Sequence, residues 1–98
     1  MFALVAEQYG QLLGLTHYLY HRSTTRIELT CYLQDLFTDP AMRGKGVGRT
    51  LIQGVYEQAK AASITLVYWQ THSTNGAGRL LYDKVAKHMG FIVYSQEV

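Results

Sequence analysis

Cysteine and proline each occur once in this 98-residue chain. A lone Cys31 rules out an internal disulfide and any cysteine-rich metal cluster, which suits a reducing compartment. With Pro40 as the only proline there is no proline-rich linker, and Asp39-Pro40 is the one point where the chain must lose a backbone donor. No apolar run approaches the ~18 residues needed to cross a bilayer. The start MFALVAEQYG carries no basic segment ahead of its apolar residues, so neither a membrane span nor a leader is expected and the chain reads as cytoplasmic. Charge of one sign is also scarce: nine basic against seven acidic residues leave a net +2, too little to argue for nucleic acid. A basic site matters here only where a few cations gather.

What is present is apolar and aromatic. Hydrophobic residues make up 48% of the chain, eight tyrosines among them, so it should fold as one domain spanning 1–98. At this size only about two thirds of the unfolded surface is buried, and the stability margin should be narrow. FALVA and LLGLTHYLYH read as antiparallel strands around the turn residues of EQYGQ, and HRSTTR reads as a second turn. IELTCYLQDLFT, from Ile27 to Thr38, is a long strand stopped by Asp39-Pro40. From Val47 the period changes: Val47, Leu51, Ile52, Val55, Tyr56 and Ala59 share one face of a helix that ends near Ala62. ITLVYW is a short buried strand and QTHSTNGAG a loop. A second helix, capped by Asn75 or Thr74, uses Ala77, Leu81, Val85 and Met89 and closes at Gly90. FIVYSQ reads as a last strand, giving the order β-β-β-α-β-α-β.

Between the long strand and the first helix lies DPAMRGKGVGRTLI. A strand, a glycine loop and a helix start make an anion site, because the first helical amides lack internal partners and the helix dipole is positive there. The dinucleotide fingerprint spaces its glycines at one, three and six, whereas Gly44, Gly46 and Gly48 stand at one, three and five. The P-loop ends in Gly-Lys-Ser or Gly-Lys-Thr, and Gly44-Lys45 is followed by Gly46. What does fit is R-x-x-G-x-G, carried by Arg43, Gly46 and Gly48. With YLQDLFTDP before it and NGAGRLLYDKVAKHMGF after it, this loop resembles the acyl-CoA pyrophosphate loop of the GNAT N-acetyltransferase superfamily. The resemblance runs over residues 2 to 94 and is nearest the branch that acetylates polyamines, histones and small amines.

The resemblance implies an α/β (α+β) fold, a mixed and mostly antiparallel sheet with two helices, here without the family's first strand and first two helices. It implies acetyl-CoA as co-substrate, with its diphosphate on Arg43, Gly44, Lys45, Gly46, Val47, Gly48 and Arg49 and its pantetheine along the backbone of Leu36, Phe37 and Thr38. Tyr82, seven residues after Asn75, matches the family's general acid. Asn75 matches a cofactor-contacting position and is equally placed to cap a helix. Related polyamine acetyltransferases have glutamate where this chain has Gln34, so the base role passes to Asp35 or to a water chain. The activity implied is transfer of an acetyl group to a primary amine of a small molecule, polyamine or protein; the competing reading is a CoA-binding module without turnover. The absent first segment leaves the strand at Phe2 as an open edge, for which a homodimer or higher homo-oligomer is the expected cover.

The remaining candidates carry less. His17 and His21 lie about 13 Å apart at ~3.3 Å per strand residue, too far to share a metal ion. His72 reads as a loop histidine, Cys31 as a buried small residue, and Trp69 as core.

Overall fold

The first hairpin follows from two residues. Strand β1 (Phe2–Gln8) and strand β2 (Gln11–His21) are joined by Tyr9 and Gly10, whose φ angles are 53° and 76°. Positive φ at both central positions matches the turn to the right-handed twist of the flanking strands. Strand β3 (Thr30–Thr38) pairs antiparallel with β2, and strand β4 (Val67–Tyr68) pairs parallel with β3, giving the sheet order β1-β2-β3-β4. The computed structural model describes residues 1–24 and 27–98. Thr25 and Arg26, part of the expected second turn, lie outside the described residues.

Helix α1 (Val47–Ala61) forms the crossover to β4 and lies on one face of the sheet. Its buried Ile52, Val55 and Ala59 meet Tyr18, Cys31, Leu33 and Ile64, the apolar stripe expected from the 3.6-residue period. Gly14 lets the helix start sit close to β2: a Cβ there would fall 2.6 Å from the Phe37 carbonyl oxygen and 2.9 Å from a Val47 methyl.

Two irregularities shape the sheet. Leu13 is an extra residue of β2 against β1, and Gln34 is an extra residue of β3 against β2, since His17 pairs with Asp35 and Tyr18 with Leu33. A bulge of this kind re-aims the side chains that follow it. Both residues of β4 pair, Cys31↔Val67 and Tyr32↔Tyr68, so from Leu33 onward β3 has no β4 partner.

Four expectations require correction. The third strand starts at Thr30 and not at Ile27, which is 96% exposed. ITLVYW contributes only Val67 and Tyr68 to the sheet. Helix α2 (Gly76–Val85) stops at the extended Ala86, short of Gly90, and leaves Met89 in solvent. FIVYSQ forms no strand, and Phe91, Ile92, Val93 and Tyr94 are exposed. For the missing strand residues the reason is that strand propensity is expressed only in a paired ladder, and residues 27–29 and 91–96 lie in none.

Candidate active site

Asp39 ends β3's run and caps a 3-10 turn at Pro40–Met42, its carboxylate accepting the Ala41 N–H at 2.9 Å. The chain then rises into α1 through Gly44 and Gly46, with φ of 79° and 83°. A Cβ at either would meet nothing within 4 Å, so these two glycines are required by backbone conformation and not by crowding. Gly46 caps α1. The first helical bond runs from Thr50 N–H to the Gly46 carbonyl at 3.0 Å, and among the described residues the N–H groups of Gly46, Val47, Gly48 and Arg49 meet no acceptor. Arg43, Lys45 and Arg49 are exposed beside them, and α1 has no acidic residue in its first turn. Free amides, a positive helix end and three cations suit a diphosphate. Val47 faces inward, so only its backbone is available to this cradle.

Gly48 has a different task. A Cβ there would lie 3.3 Å from a Leu81 methyl, 3.6 Å from Leu36 and 3.7 Å from the Thr38 hydroxyl. The start of α1, the end of β3 and helix α2 therefore meet at this position. Leu36 and Thr38 face that junction, and Phe37 lies half in solvent on the other face. All three stand on the stretch of β3 that β4 does not border, and theirs is the backbone that the resemblance implied for pantetheine.

On α2 the ring of Tyr82 meets Trp69 edge to face at 5.5 Å, and Trp69 lies 6.5 Å from the ring of Tyr56. Burial pushes the Tyr82 hydroxyl above its ordinary value of 10, and among the described residues no group bonds to it. Asn75 caps α2: its Oδ1 accepts the Gly78 N–H at 3.1 Å and its Nδ2 donates to Thr71 at 2.9 Å. A Cβ on Gly78 would fall 2.3 Å from that side chain, so the cap and the glycine come as a pair. Asn75→Ala is expected to destabilise the fold by about 1 kcal/mol, read as a lowered melting temperature.

Asp35 is already engaged. Its Oδ1 accepts the His17 backbone N–H at 3.0 Å, and its two oxygens lie 2.9 and 3.1 Å from His17 Nδ1. This is a pair the sequence reading missed, having weighed His17 only against His21. His21 instead shares a 2.6 Å hydrogen bond with the Tyr68 hydroxyl, whose ring packs on Tyr32 at 5.0 Å. His72 bonds to Thr74 within its own loop at 2.7 Å.

The profile of the Acetyltransferase (GNAT) family matches residues 1–91. This chain belongs to the GNAT family. It is 38% identical over 87 residues to the D-amino-acid N-acetyltransferase HPA3 of Saccharomyces cerevisiae, covering 89% of this chain and 54% of that protein. It is 29% identical over 97 residues to the uncharacterized N-acetyltransferase YhfO of Bacillus subtilis, covering 97% of this chain and 65% of that one. Among solved structures, an aminoglycoside acetyltransferase from an uncultured soil metagenomic sample superposes with a TM-score of 0.89 at 21% identity, over 98% of this chain and 64% of its own. At that identity the likeness is one of fold. The chain spans between about half and two thirds of the length of these relatives.

Within this GNAT sheet Cys31 is fully buried between β2 and β4, and burial pushes its thiol up to about 11. In the native protein it is expected to resist a thiol reagent at pH 8 and to react fully in denaturant, which a colorimetric thiol assay reads.

Proposed function

We propose that this GNAT member moves an acetyl group from acetyl-CoA to a primary amine of a small molecule, polyamine or protein. The observation that carries the reading is the run of amides from Gly46 to Arg49 that meet no acceptor among the described residues, flanked by Arg43 and Lys45 and adjoining Leu36 and Thr38 on the stretch of β3 that β4 leaves unpaired. In this reading the cradle holds the diphosphate, and backbone groups of Leu36, Phe37 and Thr38 pair with pantetheine. Tyr82 gives its proton to the departing thiolate. An alkyl amine with a pKa near ~10.4 is almost wholly protonated at neutral pH, so a chain residue or a water chain must also take a proton from it. The relation to a D-amino-acid N-acetyltransferase is the reason to try amino acids beside polyamines as acceptors.

Thiol release from acetyl-CoA in the presence of D-amino acids, polyamines or histone peptides tests the proposal. Release with one amine class and not the others names the acceptor. Tight acetyl-CoA binding with no release for any amine leaves a CoA-binding module.

A homodimer joined along β1 goes with this reading, because β1 is the sheet's outer strand and Val5 is 56% exposed on it. Light scattering over a concentration series should show pairing that Val5→Lys abolishes; a wild-type monomer at micromolar concentration refutes it. Leu4 is the wrong place for that charge, since it packs inward near Gly54 of α1.

A further inference from the structure

We infer that His17 takes the proton from the incoming amine and that Asp35 is the residue that positions it. The inference rests on the transferase reading above and assigns the base which that reading needs. Gln34, the residue before Asp35, has no proton-accepting group at neutral pH.

Three observations lead to His17. The first is the hydrogen bonding of the ring. An ionised carboxylate only accepts, so the contacts of 2.9 and 3.1 Å from Asp35 to Nδ1 hold the hydrogen of the neutral imidazole on Nδ1. The lone pair then sits on Nε2, which meets no group among the described residues.

The second is direction. Thr16 and Tyr18, the neighbours of His17 on β2, are buried on the α1 side, and strand alternation turns His17 to the other face. The diphosphate cradle, as the start of α1, belongs to the first face. A ligand anchored there and passing between β3 and β4 brings its far end to the second.

The third is register. The extra residue Gln34 brings Asp35 level with His17, and Asp35 directly precedes Leu36, Phe37 and Thr38. Asp35, and through it His17 on β2, thus adjoins the stretch of β3 that pantetheine would follow in the transferase reading. Asp35 itself is a poor direct base, because it is spent on His17 through both its oxygens and also takes the His17 backbone N–H. Imidazole as a class is the side chain matched to proton transfer at neutral pH.

The step balances. The ammonium form of the acceptor gives one proton to His17 Nε2, and the neutral nitrogen bonds to the acetyl carbonyl carbon. The C–S bond breaks, and Tyr82 protonates the thiolate. The nitrogen's second proton returns to Tyr82 through solvent, and His17 releases the first, so one proton leaves per turnover.

The test uses the full chain with acetyl-CoA and, in separate assays, D-alanine and spermidine. His17→Ala should lower kcat by about 10² with the KM for acetyl-CoA unchanged, and added imidazole should restore at least a tenth of the lost rate. Asp35→Asn should cost about tenfold, and nitrogen NMR should show neutral His17 as the Nδ1–H tautomer in the wild type and as a mixture in Asp35→Asn. Near-normal kcat in His17→Ala, or an Nε2–H tautomer in the wild type, overturns the assignment while leaving the transferase reading in place. No thiol release from the wild-type chain with either amine overturns both. His17→Gln, which keeps a polar side chain on the same strand face, guards against a folding defect and should be as slow as His17→Ala but rescued less, because its side chain fills the space that imidazole would enter.

Discussion

Tyr82→Phe is expected to lower turnover by about 10² and to leave acetyl-CoA affinity within about twofold. The substitution keeps the ring, so the edge-to-face contact with Trp69 at 5.5 Å persists and stability should change little. What it removes is a hydroxyl with no partner among the described residues, the state expected of a donor that waits for a leaving group. Burial acts in the same sense. By disfavouring the phenolate it raises the hydroxyl above 10, so the proton-bearing form is present throughout the neutral range and is lost only in strong alkali. A rate that falls with rising pH below that range therefore has another cause. Steady-state thiol release together with calorimetric titration of acetyl-CoA separates the two effects. Near-normal turnover in a folded Tyr82→Phe protein removes Tyr82 from the chemistry.

Gly46→Val should weaken acetyl-CoA binding by tenfold or more, which is about 1.4 kcal/mol. Its origin differs from simple obstruction. A Cβ at Gly46 meets nothing within 4 Å, but φ is 83°, a left-handed conformation that costs a β-branched residue roughly 1–2 kcal/mol. The chain relieves that strain by turning the loop, and the amides of Gly46 to Arg49 then lose their common aim. Gly10→Val is the matched control. Gly10 has φ of 76° and equally open surroundings in the β1–β2 turn, so its replacement should cost similar stability with acetyl-CoA affinity intact. Calorimetry on both folded variants decides it: undiminished affinity in Gly46→Val, or an equal loss in Gly10→Val, counts against the cradle.

Residues that act on near neighbours were legible without a structure. The Tyr9-Gly10 turn, the stop at Pro40, the apolar stripe of α1 and the Asn75 cap each depend on atoms only a few positions away along the chain. The R-x-x-G-x-G loop belongs to the same class, because the left-handed glycines and the unbonded amides of a helix start are local properties. Together with the order of the motifs, they placed the chain in its family.

Other features needed the strands side by side. The bulge at Gln34 is a relation between β2 and β3, and a shift of one residue turns a side chain to the other face, so nothing in LQDL alone announces that Asp35 meets His17. Gly48 looks like its two companions in sequence, yet it is set apart by the Leu81 methyl that arrives from α2. FIVYSQ has the composition of a strand and forms none, because a ladder takes two edges and the sequence names only one. Local composition determined the hairpin turn, the α1 stripe and the glycine loop; the pairing of distant segments decided the register, how little of β3 β4 borders and the joining of His17 to Asp35, since each is set by contacts that exist only after the sheet has closed.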